Sequence, residues 1–304
     1  MKQPMKIVIL TETGRTYSPK RLKEEAIKKG HQPRIIRYPK CYVDIEQDNP
    51  EVRYEGQEVK NVDAVITRIS PRLTAYGTAI ARQFELQGIY TVNKSIAIVR
   101  SRDKLRTLQL LSKAGVGIPK TVFSRSTAAV DDLIDQIGVP MIIKVAQGSQ
   151  GSGVVLAETR KAARSVIQAF YVEGVSILLQ EFIAEANGAD IRSFVAGNQV
   201  VASYKRQSLD DDFRSNIHKG GTGTSIKLTD EEKRVSLKAA KAVGLQICGV
   251  DLIRSNRGPL VLEVNASPGL EGIEQVTGRN VAEKVIEYVE LNAKRRHKKD
   301  RVGA

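Results

Sequence analysis

At 304 residues the chain can bury a substantial core and has room for two domains. With 41% hydrophobic and 27% charged residues it reads as an ordinary globular protein, and two cysteines (Cys41, Cys248) and three histidines leave zinc, disulfide or His-triad chemistry little to work with. The net charge of +14 favours an anionic partner, whether nucleotide, nucleic acid, ribosome or acidic peptide.

The first residues lack the apolar stretch of a secretory signal, and no apolar run approaches a bilayer span, so a cytoplasmic protein is expected. Residues 6–10 read as a buried strand. A helix over 20–29, with Leu22, Ala26 and Ile27 inward, stops at Gly30. A strand at 62–66 and a helix over 78–87, with Ile80 and Phe84 on one face, complete a small α/β pattern. The turn at Gly14 lacks the three glycines of a dinucleotide fingerprint, which argues against a Rossmann cofactor. Asp103 caps a helix carrying Leu105, Leu108 and Leu111.

Further on come a strand at 121–123, a helix at 128–137, and strands at 141–146 and 154–157 around the glycine-rich 148–153. A helix through Ala162, Val166 and Phe170 leads to a strand at 177–183. Gly197-Asn198, between apolar runs at 191–196 and 200–204, marks a two-residue hairpin. Residues 207–224 are polar, glycine-rich and long for an idle connection. Thr229 and Glu232 spell a capping box for a helix ending near Gly244. A hairpin over 249–265 and a helix over 280–291 close the fold, followed by a tail with six basic residues and one acid between 294 and 301.

Two segments carry chemistry. Centring the 249–265 hairpin on Arg257 sets Asp251 opposite Glu263, and alternation puts Asn265 on the same face. Facing carboxylates repel, so a cation is expected between them. Two carboxylates and an amide suit Mg²⁺ or Mn²⁺. In residues 142–156, Lys144 sits inside an apolar strand, where an unpaired ammonium is costly. The glycines after it let backbone N–H groups approach phosphate. No Lys-Ser/Thr follows the last glycine, so this is not a Walker A loop.

These segments, in this order, resemble the ATP-grasp superfamily, and within it the RimK-type α-L-glutamate ligases that modify a small-subunit ribosomal protein. RDKLRTLQLL (102–111), KVAQGSQGSGVVLAET (144–159), QEFI (180–183), DIRSFV (190–195), DFRSNIHKGG (212–221) and EVNASPGLEGIE (263–274) carry the likeness. It implies a small N-terminal α/β domain (1–103) before an ATP-grasp fold of two α+β subdomains (104–290). The smaller subdomain would span about 120–180, the metal- and nucleotide-binding one about 181–290, and the basic tail 291–304.

By the same likeness Lys144 and Arg214 are the catalytic candidates. Lys104, Lys144, Glu181, Phe182, Asp190, Arg214, Ser215 and Asn216 would hold ATP, with Glu181 and Phe182 at the adenine. Asp251, Glu263 and Asn265 would bind two Mg²⁺ or Mn²⁺ ions. Arg192, Arg206 and Ser267 are candidates for substrate, the arginines as forks for a carboxylate. His218 reads as a loop-stabilising residue. The expected partners are L-glutamate and an acidic protein C-terminus, that of a small-subunit ribosomal protein, with a homo-oligomer an open option. Neither membrane association nor direct nucleic-acid readout is expected, since few aromatics accompany the basic residues. The rival readings are an ATP-grasp ligase for another amino acid and small-molecule carboxylate, and a non-catalytic, nucleotide-responsive ribosome- or RNA-binding protein.

Overall fold

The computed structural model describes residues 3–47, 49–125, 129–146, 153–208 and 222–296. Its first part contains β1 (Lys6–Thr11), α1 (Tyr17–Lys28), β2 (Gln32–Arg37), β3 (Cys41–Glu46), β4 (Asn49–Tyr54), β5 (Gln57–Glu58), β6 (Ala64–Arg68), α2 (Thr74–Leu86) and β7 (Tyr90–Val92). The strands β2-β1-β6-β7 form a parallel sheet in that order, while β3–β5 make a small antiparallel one. An interior parallel strand is covered on both faces, which explains the unbroken apolar run of β1. Its Val8 and Leu10 join one core, its Ile7 and Ile9 another.

The short β7 was not expected from sequence, nor were β2 to β5. Helix α1 begins at Tyr17, ahead of the expected start, and buries Ser18, Leu22, Glu25 and Ala26. Ile27 is 54% exposed, contrary to expectation. One residue past Ala26 lies about 100° further round the helix, off the buried stripe.

Two helices, α3 (Ser95–Arg102) and α4 (Lys104–Lys113), follow, with the Asp103 carboxylate accepting from the Arg106 amide at 2.9 Å between them. The next unit comprises β8 (Thr121–Ser124), α5 (Val130–Ile137), β9 (Met141–Val145), β10 (Val154–Ala157), α6 (Arg160–Val172) and β11 (Ile177–Glu181). Its antiparallel sheet runs β10-β9-β11-β8 and has a core of its own, in which Met141, Ile143 and Leu179 meet Ile134, Ile167 and Tyr171. The buried stripe of α6 is Ala163, Ile167 and Tyr171, one residue on from the expected 162, 166 and 170. Helices cover one face of this sheet. Strand alternation turns Ile142 and Lys144 to the other.

The last unit holds β12 (Ala189–Ala196), β13 (Gln199–Gln207), β14 (Thr222–Ser225), α7 (Asp230–Val243), β15 (Ile247–Ser255), β16 (Gly258–Asn265), α8 (Glu271–Thr277) and α9 (Val281–Arg296). Strand order is β14-β13-β12-β15-β16, all antiparallel. The stretch expected as a long polar connection therefore ends in a strand; its residues 209–221 lie outside the described ones. The capping box forms, with Thr229 Oγ1 accepting from the Glu232 amide and Glu232 answering the Thr229 amide at 2.8 Å. Helix α7 covers the face formed by Ile191, Val195, Val250 and Leu252, and α8 and α9 cover one end of the other face at Phe194, Ala202 and Tyr204.

Buried Asn93 fastens the N-terminal sheet to this unit. It donates to the Ile247 and Ala266 carbonyls (2.6 and 3.0 Å) and accepts from the Gln246 and Ile247 amides (3.0 and 2.9 Å), so every capacity of its amide group is used. Among the described residues no helix is long and apolar enough to cross a membrane.

The β12–β13 turn is the expected Gly197-Asn198. Gly197 has φ +63°, and a Cβ there would lie 2.4 Å from the Tyr288 ring of α9. Gly197→Ala should cost about 2–4 kcal/mol, adding left-handed strain to a clash with a packed aromatic. Urea denaturation is the check.

Candidate active site

The hairpin of β15 and β16 supplies the centre. Its turn is the two residues Asn256-Arg257, with Ser255 opposite Gly258 and Leu252 opposite Val261. Continued unbroken, that register would set Asp251 against Leu262 and turn Glu263 to the α7 side. A bulge at Leu262 shifts the pairing by one, so Asp251 faces Glu263 and Gly249 faces Asn265. The opposition expected from the sequence is present, with a bulge producing it.

One row across the sheet reads Tyr204, Arg192, Asp251, Glu263. Arg192 forks onto Asp251, Nε to Oδ1 at 2.7 Å and Nη2 to Oδ2 at 2.5 Å. Arg206 reaches the same Oδ2 at 3.0 Å and forks onto buried Asp190. Burial works against the charge of Asp251, but the two guanidiniums outweigh it and hold the carboxyl down at about 2. Arg206 is likewise held charged by Asp251 and Asp190 against its own burial. Asp190 itself is raised, burial prevailing over Arg206. Both forks expected for a substrate carboxylate thus close on protein carboxylates.

Glu263 differs. It is open to solvent yet walled by protein, as a residue looking into a cleft is. Its carboxyl is raised by that desolvation and by Asp251, against the pull of Arg192, Lys144 and Lys104. Lys144 looks at it from β9, across the cleft between the two antiparallel sheets. Its Nζ donates to Gln180 Oε1 at 2.6 Å, and Gln180 is in turn held by its Nε2 on Thr121 Oγ1 at 2.9 Å. Burial pushes the Lys144 ammonium down to about 8, with Glu263 opposing and neighbouring Lys104 adding. Lys104, at the start of α4, donates to the Val145 carbonyl at 3.1 Å and is also lowered by burial. Gln180 was missed in the sequence; its signal was a polar residue on the non-core face of an apolar strand, two residues along that face from Leu178, which lies opposite Lys144.

Glu181 lies at the end of β11, where its Oε1 accepts from the Lys120 amide at 2.6 Å and from Arg257 of the hairpin turn. That contact ties the two sheets together at one edge of the cleft, with half-buried Phe182 beside it. Ser267, just past β16, has a buried Oγ with no hydrogen-bond partner among the described residues. Arg214, Ser215, Asn216 and His218, with the glycine-rich 147–152, lie outside the described residues.

Whether the hairpin suits a divalent cation can be tested on its own atoms. Among the described residues no three or more Asp, Glu, His or Cys side chains cluster as a metal site, and the Asn265 amide is the oxygen donor that stands beside the two carboxylates. Oδ1 of Asp251 accepts one hydrogen bond and keeps a lone pair free. One outer atom of the Asn265 amide stands 3.0 Å from Glu263 Oε1. As nitrogen it donates there while its oxygen accepts from Arg192 Nη2 at 3.2 Å. Neighbouring oxygens around an octahedral Mg²⁺ are about 2.9 Å apart, so the same spacing serves a metal once the amide turns over. The donor set fits.

The chain is similar to known proteins along nearly its whole length. Residues 5–98 match the RimK PreATP-grasp domain and residues 101–289 the RimK-like ATP-grasp domain. A Vibrio cholerae protein named "Probable alpha-L-glutamate ligase" is 52% identical over 298 residues, covering 98% of this chain and 99% of that one. A Coxiella burnetii protein of the same name is 53% identical over 291 residues (95% and 97%). Among solved structures, the ATP-grasp ligase PsnB complexed with minimal precursor, Mg and ADP superposes with a TM-score of 0.75 at 20% identity, over 95% of this chain and 98% of that one. With both family models matched in sequence order, and with relatives above half identity end to end, the chain belongs to the RimK family of ATP-grasp proteins and is an ATP-dependent ligase.

Proposed function

We propose that this enzyme joins L-glutamate to the C-terminal glutamate of an acidic protein, that of a small-subunit ribosomal protein, or builds an α-linked glutamate chain. The observation that carries this reading is the opposition of Asp251 and Glu263 on the hairpin, with Lys144 and Lys104 facing Glu263. ATP phosphates are the anions that such a cleft takes, and the relatives' name supplies glutamate.

In the first step a carboxylate oxygen of the acceptor attacks the γ-phosphorus and ADP departs, leaving an acylphosphate. The amine of glutamate then attacks the acyl carbon, phosphate leaves, and the amine proton passes to solvent. Lys144, aimed by Gln180, neutralises the phosphates and follows the charge as it moves; the family likeness gives Arg214 the same task and sets Glu181 and Phe182 at the adenine. Asp251, Glu263 and Asn265 would hold two Mg²⁺ or Mn²⁺ ions, whose contribution when bound is Lewis-acid neutralisation of the phosphoryl oxygens. Arg192 and Arg206 keep Asp251 ionised and oriented for that task.

The unit spanning about 120–180 is read as the smaller ATP-grasp subdomain. Its separate core would let it move as one body over the 181–290 subdomain, with 1–103 as the N-terminal domain. A cytoplasmic location suits an acceptor on the ribosome.

The test is mass spectrometry of products from ATP, MgCl₂, glutamate and candidate peptides ending in glutamate. A ladder of glutamate-sized increments with matching ADP is expected. Increments of another amino acid, or product only on a non-peptide carboxylate, would shift the assignment to a different ATP-grasp ligase.

A further inference from the structure

Several buried and half-buried arginines are paired with acids: Arg206 with Asp190, Arg192 with Asp251, Arg21 with Glu25 and Glu274. Among the described residues, half-buried Arg68 and Arg102 have no such partner. Arg68 is the last residue of β6, at the carboxyl edge of the parallel sheet, the edge where open α/β sheets bind ligands. Arg102 ends α3 and is anchored through Nη2 to the Ile69 carbonyl at 2.8 Å. Its Nε is buried and has no hydrogen-bond partner among the described residues.

No carboxylate among the described residues forms an ion pair with either guanidinium. Burial, with the charge of Arg102 adding to it, pushes Arg68 down to about 10. Arg102 is lowered by burial, against the pull of Glu263 on β16, which packs against α3, and of the buried Tyr38 hydroxyl, which Ser70 fixes through its amide and Oγ (3.2 and 3.0 Å). Two desolvated like charges side by side are costly, and sites that keep such an arrangement are sites that bind a counter-charge. A pair of planar forks with an idle donor matches the two oxygens of a carboxylate.

We propose that Arg68 and Arg102 form a carboxylate-binding subsite, on the Glu263 side of the cleft, for one of the two acidic substrates. Which acid occupies it rests on the ligase reading above; that an organic carboxylate binds there does not. The two sources are a carboxylate of free glutamate and the C-terminal carboxyl group of the acceptor.

Steady-state ADP release by full-length Arg68→Gln, Arg102→Gln and the double variant, varying ATP, glutamate and acceptor peptide in turn, separates the sources. The KM for one acid should rise about 10- to 100-fold with the KM for ATP within twofold of wild type, and the acid affected names the occupant. Arg68→Lys, which keeps the charge but not the fork, should recover only part of the loss. Unchanged KM for both acids, or a lowered melting temperature with unchanged KM, would make the pair structural and overturn the proposal. Calorimetric titration with glutarate, a dicarboxylate lacking the amine, needs no turnover: binding by wild type and its loss in the double variant supports the subsite, and equal affinity overturns it. If glutarate binds as described while wild type adds no glutamate to any acceptor, the subsite stands and the glutamate-ligase reading falls.

Discussion

Glu263→Gln is expected to lower ADP formation by about 10³-fold or more and, at the same time, to make the ligand-free protein harder to melt. The two effects have one source. Glu263 faces Asp251 across the hairpin and is desolvated by the cleft walls, so its carboxyl is raised above the ordinary value. A carboxyl with a raised folded-state pKa costs stability once the pH passes its unfolded value, and the cost is complete above the folded one. At neutral pH glutamine removes that cost, while Asn265 Nδ2 or Oδ1 can still meet the new amide. MgCl₂ with ATP should raise the wild-type melting temperature more than that of the variant, because one of the two carboxylates assigned to the cation has gone. Thermal melts with and without MgATP, beside an ADP-release assay, read both halves. Turnover at the wild-type level by Glu263→Gln would end the metal assignment.

That position was legible because a hairpin is arithmetic: two residues at equal distance from the centre oppose one another. The arithmetic held at Asp251 and Glu263 only through the Leu262 bulge, since the turn itself is centred half a residue earlier, between Asn256 and Arg257. No pattern in 258–265 announces a bulge; it follows from packing Val261 and Val264 on α7 while Glu263 faces the cleft.

Caps and turns were similarly local, and Asp103, Thr229 with Glu232, and Gly197-Asn198 act as their chemistry dictates. Helix faces were less secure, because at 100° per residue a stripe read one position early, as in α6, changes which side chains are buried. The three-residue β7 is too short to carry a period, and α3 and α8 lie in sequence of mixed polarity. The pair Arg68 and Arg102 could not be seen at all. It depends on β6 and α3 meeting in space, and in the sequence each is one arginine among many.

The pH dependence of nucleotide binding should report Lys144 directly. Its ammonium is pushed down to about 8, mainly by burial, so in the free enzyme it loses its proton through the mildly alkaline range. ATP phosphates favour the charged form and must raise that pKa on binding. The dissociation constant for MgATP should therefore stay level below pH 8 and rise toward tenfold per unit above it. Stability of the ligand-free protein should move the other way. A lysine depressed from 10.5 carries its full burial cost below the folded value of about 8 and sheds it as the pH climbs toward the unfolded one. ATP binding loosening while the empty protein stiffens is a pair of opposite slopes that general alkaline damage cannot produce. Lys144→Arg, which stays charged, should flatten the binding slope, and Lys144→Ala should weaken binding at pH 7 about 10- to 100-fold and remove the slope as well. Fluorescence titration with a nucleotide analogue between pH 7 and 10 measures the first slope and thermal melts the second. A wild-type affinity that is level across that range would take Lys144 out of contact with the phosphates.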